Sequence, residues 1–177
     1  MNRRELNLLL VGAGAVAAGA GLGWQLWRGS SGLPAGTEEG QASLWQARFT
    51  QPDGGVLEMA ALRGVPLVLN FWATWCPPCV REMPELDRFA RQFAAQGVRV
   101  VGLAVDSPAA VREFLARSPV SYTIGLAGFA GTDLSRKLGN ESGALPFTVV
   151  LDRGGRVVQR RLGETSFEQL SRWVAPL

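Results

Sequence analysis

Apolar and polar positions change period several times along this chain, and each period predicts an element. No charge occurs from Leu6 through Trp27, a length that suits a membrane-spanning helix of about 20 residues. Gly29–Thr37 is rich in glycine, serine and proline and reads as a flexible tether. The folded domain is expected from about Ala42. Leu44–Phe49 alternates as a strand does. Pro52-Asp53-Gly54-Gly55 is a turn, and a short strand through Val56 and Leu57 would complete an N-terminal β-hairpin. Pro66–Trp72 is an almost unbroken apolar run, the pattern of a strand buried on both faces.

Helical spacing begins near Pro78. Leu86, Phe89 and Phe93 fall on one face, Pro84 lies inside and should kink the helix, and Gly97 closes it. Val98–Val105 is the next strand. Ser107-Pro108 has the form of an N-cap followed by a first-turn proline, opening a helix with Val111, Phe114 and Leu115 on its apolar side. A short strand is expected at Tyr122–Leu126 and a short helix near Thr132–Leu138. Pro146–Leu151 and Arg156–Leu162 form a hairpin across Asp152-Arg153-Gly154-Gly155. A last helix starts near Thr165 or Ser166 and buries Phe167, Leu170 and Val174. Strands alternating with helices, then a hairpin and a helix, predict an α/β domain with one central mixed sheet and helices on both faces.

Charge adds a direction to the N-terminal run. The net charge is +3, of which Arg3, Arg4 and Arg28 against Glu5 account for +2. The body is near neutral, which argues against nucleic-acid binding. Arg3 and Arg4 should stay in the cytoplasm, with Trp24 and Trp27 at the outer interface. Residues 1–28 are therefore expected to be a membrane anchor, residues 29–41 a linker and residues 42–177 the domain. A cleaved signal peptide, cut after small residues such as Ala18-Gly19-Ala20, is the alternative. Arg3-Arg4-Glu5-Leu6 also loosely matches a twin-arginine signal. Each reading puts the domain outside the cytoplasm, in the periplasm of a bacterial-type envelope.

Composition then narrows the chemistry. The chain has no histidine and only two cysteines, Cys76 and Cys79. Zinc would need four ligands, which two cysteines without histidine cannot supply. Haem attachment would need histidine after the second cysteine, where Val80 stands. A structural disulfide would close too short a loop to constrain the unfolded chain much. Redox exchange remains. The pair follows a buried strand and opens a helix, so Cys76 meets free N–H groups and the positive end of the helix dipole, which favour thiolate. Cys76 should attack a substrate disulfide, and Cys79, one turn in, should resolve the mixed disulfide. Pro77 and Pro78 fix the backbone between them.

Asn70-Phe71-Trp72-Ala73-Thr74-Trp75-Cys76-Pro77-Pro78-Cys79 resembles the active-site strand and turn of the thioredoxin fold. Gly143–Thr148 resembles the segment that holds that family's cis-proline. The resemblance implies a cis Leu145–Pro146 bond, with Pro146 facing the cysteines and the Leu145 backbone pairing with substrate. Cys79–Leu86 is similar to the membrane-anchored TlpA/ResA type of thiol-disulfide oxidoreductase, with CcmG/DsbE-like proteins as relatives. Asn70 departs from the buried aspartate of cytoplasmic thioredoxins. Glu82, three residues after Cys79 and on its helix face, is the candidate replacement, accepting the Cys79 proton with a raised pKa. Trp75, with Pro77 and Leu145, should border the substrate site, whereas Trp72 reads as core.

These readings imply an extracytoplasmic reductase of disulfides in exported proteins, for example apocytochrome c or copper-site cysteines. An inner-membrane thiol donor would recharge it. The resemblance implies no cofactor and no metal, and a monomer is expected. An oxidant or isomerase running the same chemistry in the other direction is the rival. A peroxidase is disfavoured by Ala73, where serine or threonine would be needed. A copper carrier is disfavoured by the close cysteine spacing and the lack of histidine.

Overall fold

The computed structural model describes residues 37–177. The expected anchor and residues 29–36 of the expected linker lie outside them, whereas residues 37–41 of that linker are helical. Among the described residues no helix is long and apolar enough to cross a membrane.

The first described element corrects the sequence reading. Residues 44–46 belong not to a strand but to helix α1 (Thr37–Gln46), and strand β1 is confined to Arg48–Thr50. Leu44 and Trp45 are buried side by side. Both enter the same core, which strand alternation, sending neighbours to opposite faces, does not allow. The Trp45 indole N–H donates to the Gly155 carbonyl at 3.1 Å, tying α1 to the distant hairpin turn. β2 (Val56–Glu58) pairs antiparallel with β1 in the register Arg48↔Glu58.

The central strand is β3 (Leu67–Trp72), every residue of which is buried. Helix α2 (Pro77–Phe93) follows and runs through Pro84. A short 3-10 turn and Gly97, at φ 80°, then end the segment. That left-handed conformation suits glycine. β4 (Arg99–Ala104), α3 (Pro108–Arg117) and β5 (Thr123–Leu126) complete two crossovers. Ser107 caps α3 by accepting from the Ala110 N–H at 3.3 Å. Next come α4 (Ala130–Lys137), β6 (Phe147–Leu151), β7 (Val157–Leu162) and α5 (Phe167–Val174).

The seven strands form one mixed sheet in the order β2-β1-β5-β4-β3-β6-β7. β3, β4 and β5 are mutually parallel, and the other pairings are antiparallel. The two parallel crossovers step the same way across the sheet. Right-handed connections then put α2 and α3 on one face, where they meet α5 in a common core. The other face carries a second core that takes in Leu44 and Trp45 of α1 and, at its edge, Leu134 of α4. β3 divides its side chains between the two. Leu67, Leu69 and Phe71 enter the α1 side, and Val68 and Trp72 the α2 side. By the strand's period of two, Asn70 joins Val68 and Trp72.

Candidate active site

The carboxyl ends of parallel strands are where loops are free to build a site. β3 ends there, and the Ala73–Cys76 turn leads straight into α2. Cys76 is the N-cap of that helix, with extended backbone at φ −102° and ψ 99°. Pro77 and Pro78 occupy the first helical positions, where a missing N–H costs little because those donors have no intrahelical partner. Cys76 and Cys79 are joined in a disulfide and are both buried. The Cys79 N–H also donates to Cys76 Sγ at 3.3 Å. A sulfur receiving an end-of-helix N–H is in surroundings that favour negative charge once it is reduced.

Glu82 lies three residues beyond Cys79 and is only 2% exposed. Its Oε1 accepts from Asn70 Nδ2 at 2.7 Å. Its Oε2 accepts from the Thr165 N–H at 2.7 Å and the Thr165 hydroxyl at 3.0 Å. Burial raises the Glu82 pKa from its ordinary 4.5 to about 7, and the bonds from Thr165 and Asn70 offset only part of that rise. Asn70 Nδ2 donates in addition to the Thr148 hydroxyl at 3.0 Å. Asn70 and Thr148 are register partners on β3 and β6, so the sheet itself sets up this polar row.

The remaining residues singled out from the sequence surround this centre. The Leu145–Pro146 peptide is cis and Pro146 is buried. Phe147 pairs with Phe71. One register step further places Pro146 alongside Trp72, at the strand end that leads to Cys76. Leu145 is half-buried and packs against both cores. Trp75 is 63% exposed and Pro77 is exposed as well, whereas Trp72 is completely buried.

Two parts of the site escaped the sequence reading. Thr165 belongs to the Glu82 network and is not the cap of α5, a role that falls to Ser166. Asp106, two residues past the end of β4, binds the turn before Cys76: its Oδ2 accepts from the Thr74 N–H at 3.0 Å and the Thr74 hydroxyl at 2.6 Å. The available signal for Asp106 was its place at the carboxyl end of a strand parallel to β3.

The redoxin family model matches residues 31–172 of the chain. The chain belongs to the redoxin family. Within this family it is similar to the thiol-disulfide oxidoreductase ResA of Bacillus cereus (strain ZK / E33L). Identity is 32% over 123 residues, covering 68% of each protein. Among solved structures, MTB dsbF in its mixed oxidized and reduced forms superposes with a TM-score of 0.65 at 29% identity. That match covers 76% of this chain and 96% of that one. A secreted Mycobacterium tuberculosis disulfide oxidoreductase homologous to E. coli DsbE gives a TM-score of 0.62 at 27% identity, covering 76% and 98%. This redoxin is thus a thioredoxin-like thiol-disulfide oxidoreductase of the ResA/CcmG type.

Proposed function

We propose that the Cys76–Cys79 couple is the redox centre and that it reduces disulfides in exported proteins. The observation that carries this reading is the pairing of an N-cap cysteine with a buried carboxylate whose pKa is pushed up to about 7 one turn beyond its partner. In the dithiol form, the Cys76 thiolate attacks a substrate disulfide, forms the mixed disulfide and expels one substrate thiolate. Cys79 then loses its proton to the Glu82 carboxylate and attacks Cys76 Sγ. The mixed disulfide breaks, the second substrate thiolate leaves and takes up a proton, and two electrons have passed to the substrate. A carboxyl group poised near neutrality can accept that proton and release it again.

Asn70 suits this cycle although an amide moves no proton. Its Nδ2 serves the charged Glu82, and its buried Oδ1 has no protein partner. Half a turn of the amide would present Oδ1 to a protonated Glu82. Exposed Trp75 and Pro77, with Leu145 and the cis peptide at Pro146, border the approach to Cys76 and form the substrate rim. The uncharged run Leu6–Trp27, behind Arg3 and Arg4, supports an anchored domain outside the cytoplasm, and a reductase there needs a membrane thiol donor to recharge it.

The deciding measurement is the reduction potential of the couple in the full chain. A value near about −270 mV supports the reductase. A value toward about −120 mV would reverse the direction and make the protein a disulfide donor.

A further inference from the structure

The Ala73–Cys76 turn carries the attacking sulfur, yet little within the turn holds it. The Cys76 N–H reaches the Ala73 carbonyl at 3.3 Å, and Trp75 projects into solvent. The firm attachment comes from outside. Asp106 is 7% exposed, and both of its carboxylate oxygens are engaged. Oδ2 takes the two Thr74 donors, and Oδ1 takes the Ser107 N–H at 2.6 Å, at the cap of α3. Its strand β4 is locked to β3 in parallel register through Trp72↔Ala104, and the Val105 N–H donates to the Trp72 carbonyl at 2.8 Å. One carboxylate therefore fastens the turn to the rigid end of the sheet. Bonds to a charged acceptor are among the stronger ones a protein makes.

We propose that Asp106 is a positioning residue for the redox couple, acting through Thr74 to hold Cys76 within reach of Cys79 once the disulfide has opened. This rests on Cys76–Cys79 being the redox centre. The stability of a disulfide reports the effective concentration of one thiol at the other, and that concentration falls when the turn is free to wander. In the oxidised form, the S–S bond and the carboxylate both order the turn, and each makes the other's task easier. In the reduced form the carboxylate acts alone and bears the whole entropy of ordering. Losing it therefore weakens the disulfide form more than the dithiol form.

The test equilibrates the full chain in glutathione buffers and compares wild type with Asp106→Ala, Thr74→Val and Thr74→Ser. Thr74→Val keeps the side-chain shape and every charge but removes the hydroxyl bond; Thr74→Ser restores it. The expected result for Asp106→Ala is a three- to tenfold fall in the equilibrium constant for disulfide formation, about 14 to 30 mV less reducing. Thr74→Val should fall in the same direction by a smaller factor, Thr74→Ser should match wild type, and melting should drop more in the oxidised than in the reduced form. Equal losses of melting temperature in both forms, with the constant unchanged within twofold, would make the contact purely structural and overturn the proposal. A shift in Asp106→Ala with Thr74→Val silent would overturn it too, by assigning the effect to the lost charge. If Asp106→Ala does not fold, the contrast between Thr74→Val and Thr74→Ser decides alone. A wild-type pair that fails to exchange with glutathione would sink the redox assignment itself and this inference with it.

Discussion

The two faces of the sheet are built from the same strands and differ in what they bury. On the α1 side, β3 contributes Leu67, Leu69 and Phe71, all three apolar, to the core that takes in Leu44 and Trp45. On the α2 side, Val68 and Trp72 flank Asn70, and a carboxylate, an amide and two threonines lie together out of reach of bulk water. A buried polar group is costly unless it is hydrogen-bonded, and a buried charge more so. The first face is thus the simpler solution to folding. The second accepts a penalty, visible in the raised pKa of Glu82, and holds a carboxylate one turn beyond Cys79 on the same helix. An apolar set and a hydrogen-bonded polar network thus lie on opposite sides of one strand.

Phe71→Ala should separate the faces most clearly. Its ring is fully buried against Phe147, with centroids 6.0 Å apart, and truncation leaves a cavity. The expected loss is about 3–5 kcal/mol by denaturant unfolding, with the glutathione equilibrium constant within twofold of wild type. A large redox shift would show that the faces are coupled.

Glu82→Gln comes next. The folded pKa of Glu82 lies above its ordinary 4.5 at about 7, so the folded state holds a proton that the unfolded chain releases over that interval. Its contribution is therefore fully present below pH 4.5, declines as pH rises toward 7 and stays low above. Unfolding of oxidised wild type at pH 4.5 and pH 8 should show a loss on the order of 3 kcal/mol from this group. The Gln variant should lack that loss, and its mixed disulfide should resolve about tenfold more slowly near neutral pH. Identical pH profiles in the two proteins would remove Glu82 from the proton balance.

Thr165→Val trims the network without touching the carboxylate. It removes the 3.0 Å hydroxyl bond to Glu82 and leaves the backbone donor in place. We expect a loss of about 1 kcal/mol and a further upward shift of the Glu82 titration, read by carboxyl NMR. A downward shift would contradict the assigned hydrogen-bond direction. Arg48→Ala sets the lower bound. Its 2.9 Å pair with Glu58 is exposed on both sides. Such pairs contribute about 0–1 kcal/mol, so melting and redox behaviour should both stay near wild type.

Much of this design was legible from local pattern. The almost unbroken run Pro66–Trp72 announced the doubly buried strand, and Ser107-Pro108 announced a capped helix. These readings succeed because periodicity and capping are properties of neighbouring residues. Leu44–Gln46 failed for the complementary reason. Their alternation looks like a strand, but burying Leu44 and Trp45 together and bonding Trp45 to Gly155 made the helix the better packing.

The chain alone could name Cys76, Cys79 and Glu82, since they share a few turns of one helix. It could not establish how strong an acid Glu82 is. That depends on Thr165, 83 positions away, and on Asn70 and Thr148 being set side by side by the pairing of β3 with β6. Nor could it reveal that Asp106 grips Thr74 across 32 positions, a contact created by the parallel register of β3 and β4. A side chain's identity is local, but its solvation and its partners follow from which distant segments the sheet brings against it. For that reason the cysteine pair was visible in sequence, while the hydrogen-bond partners of Glu82 and of the turn before Cys76 emerged only with the fold.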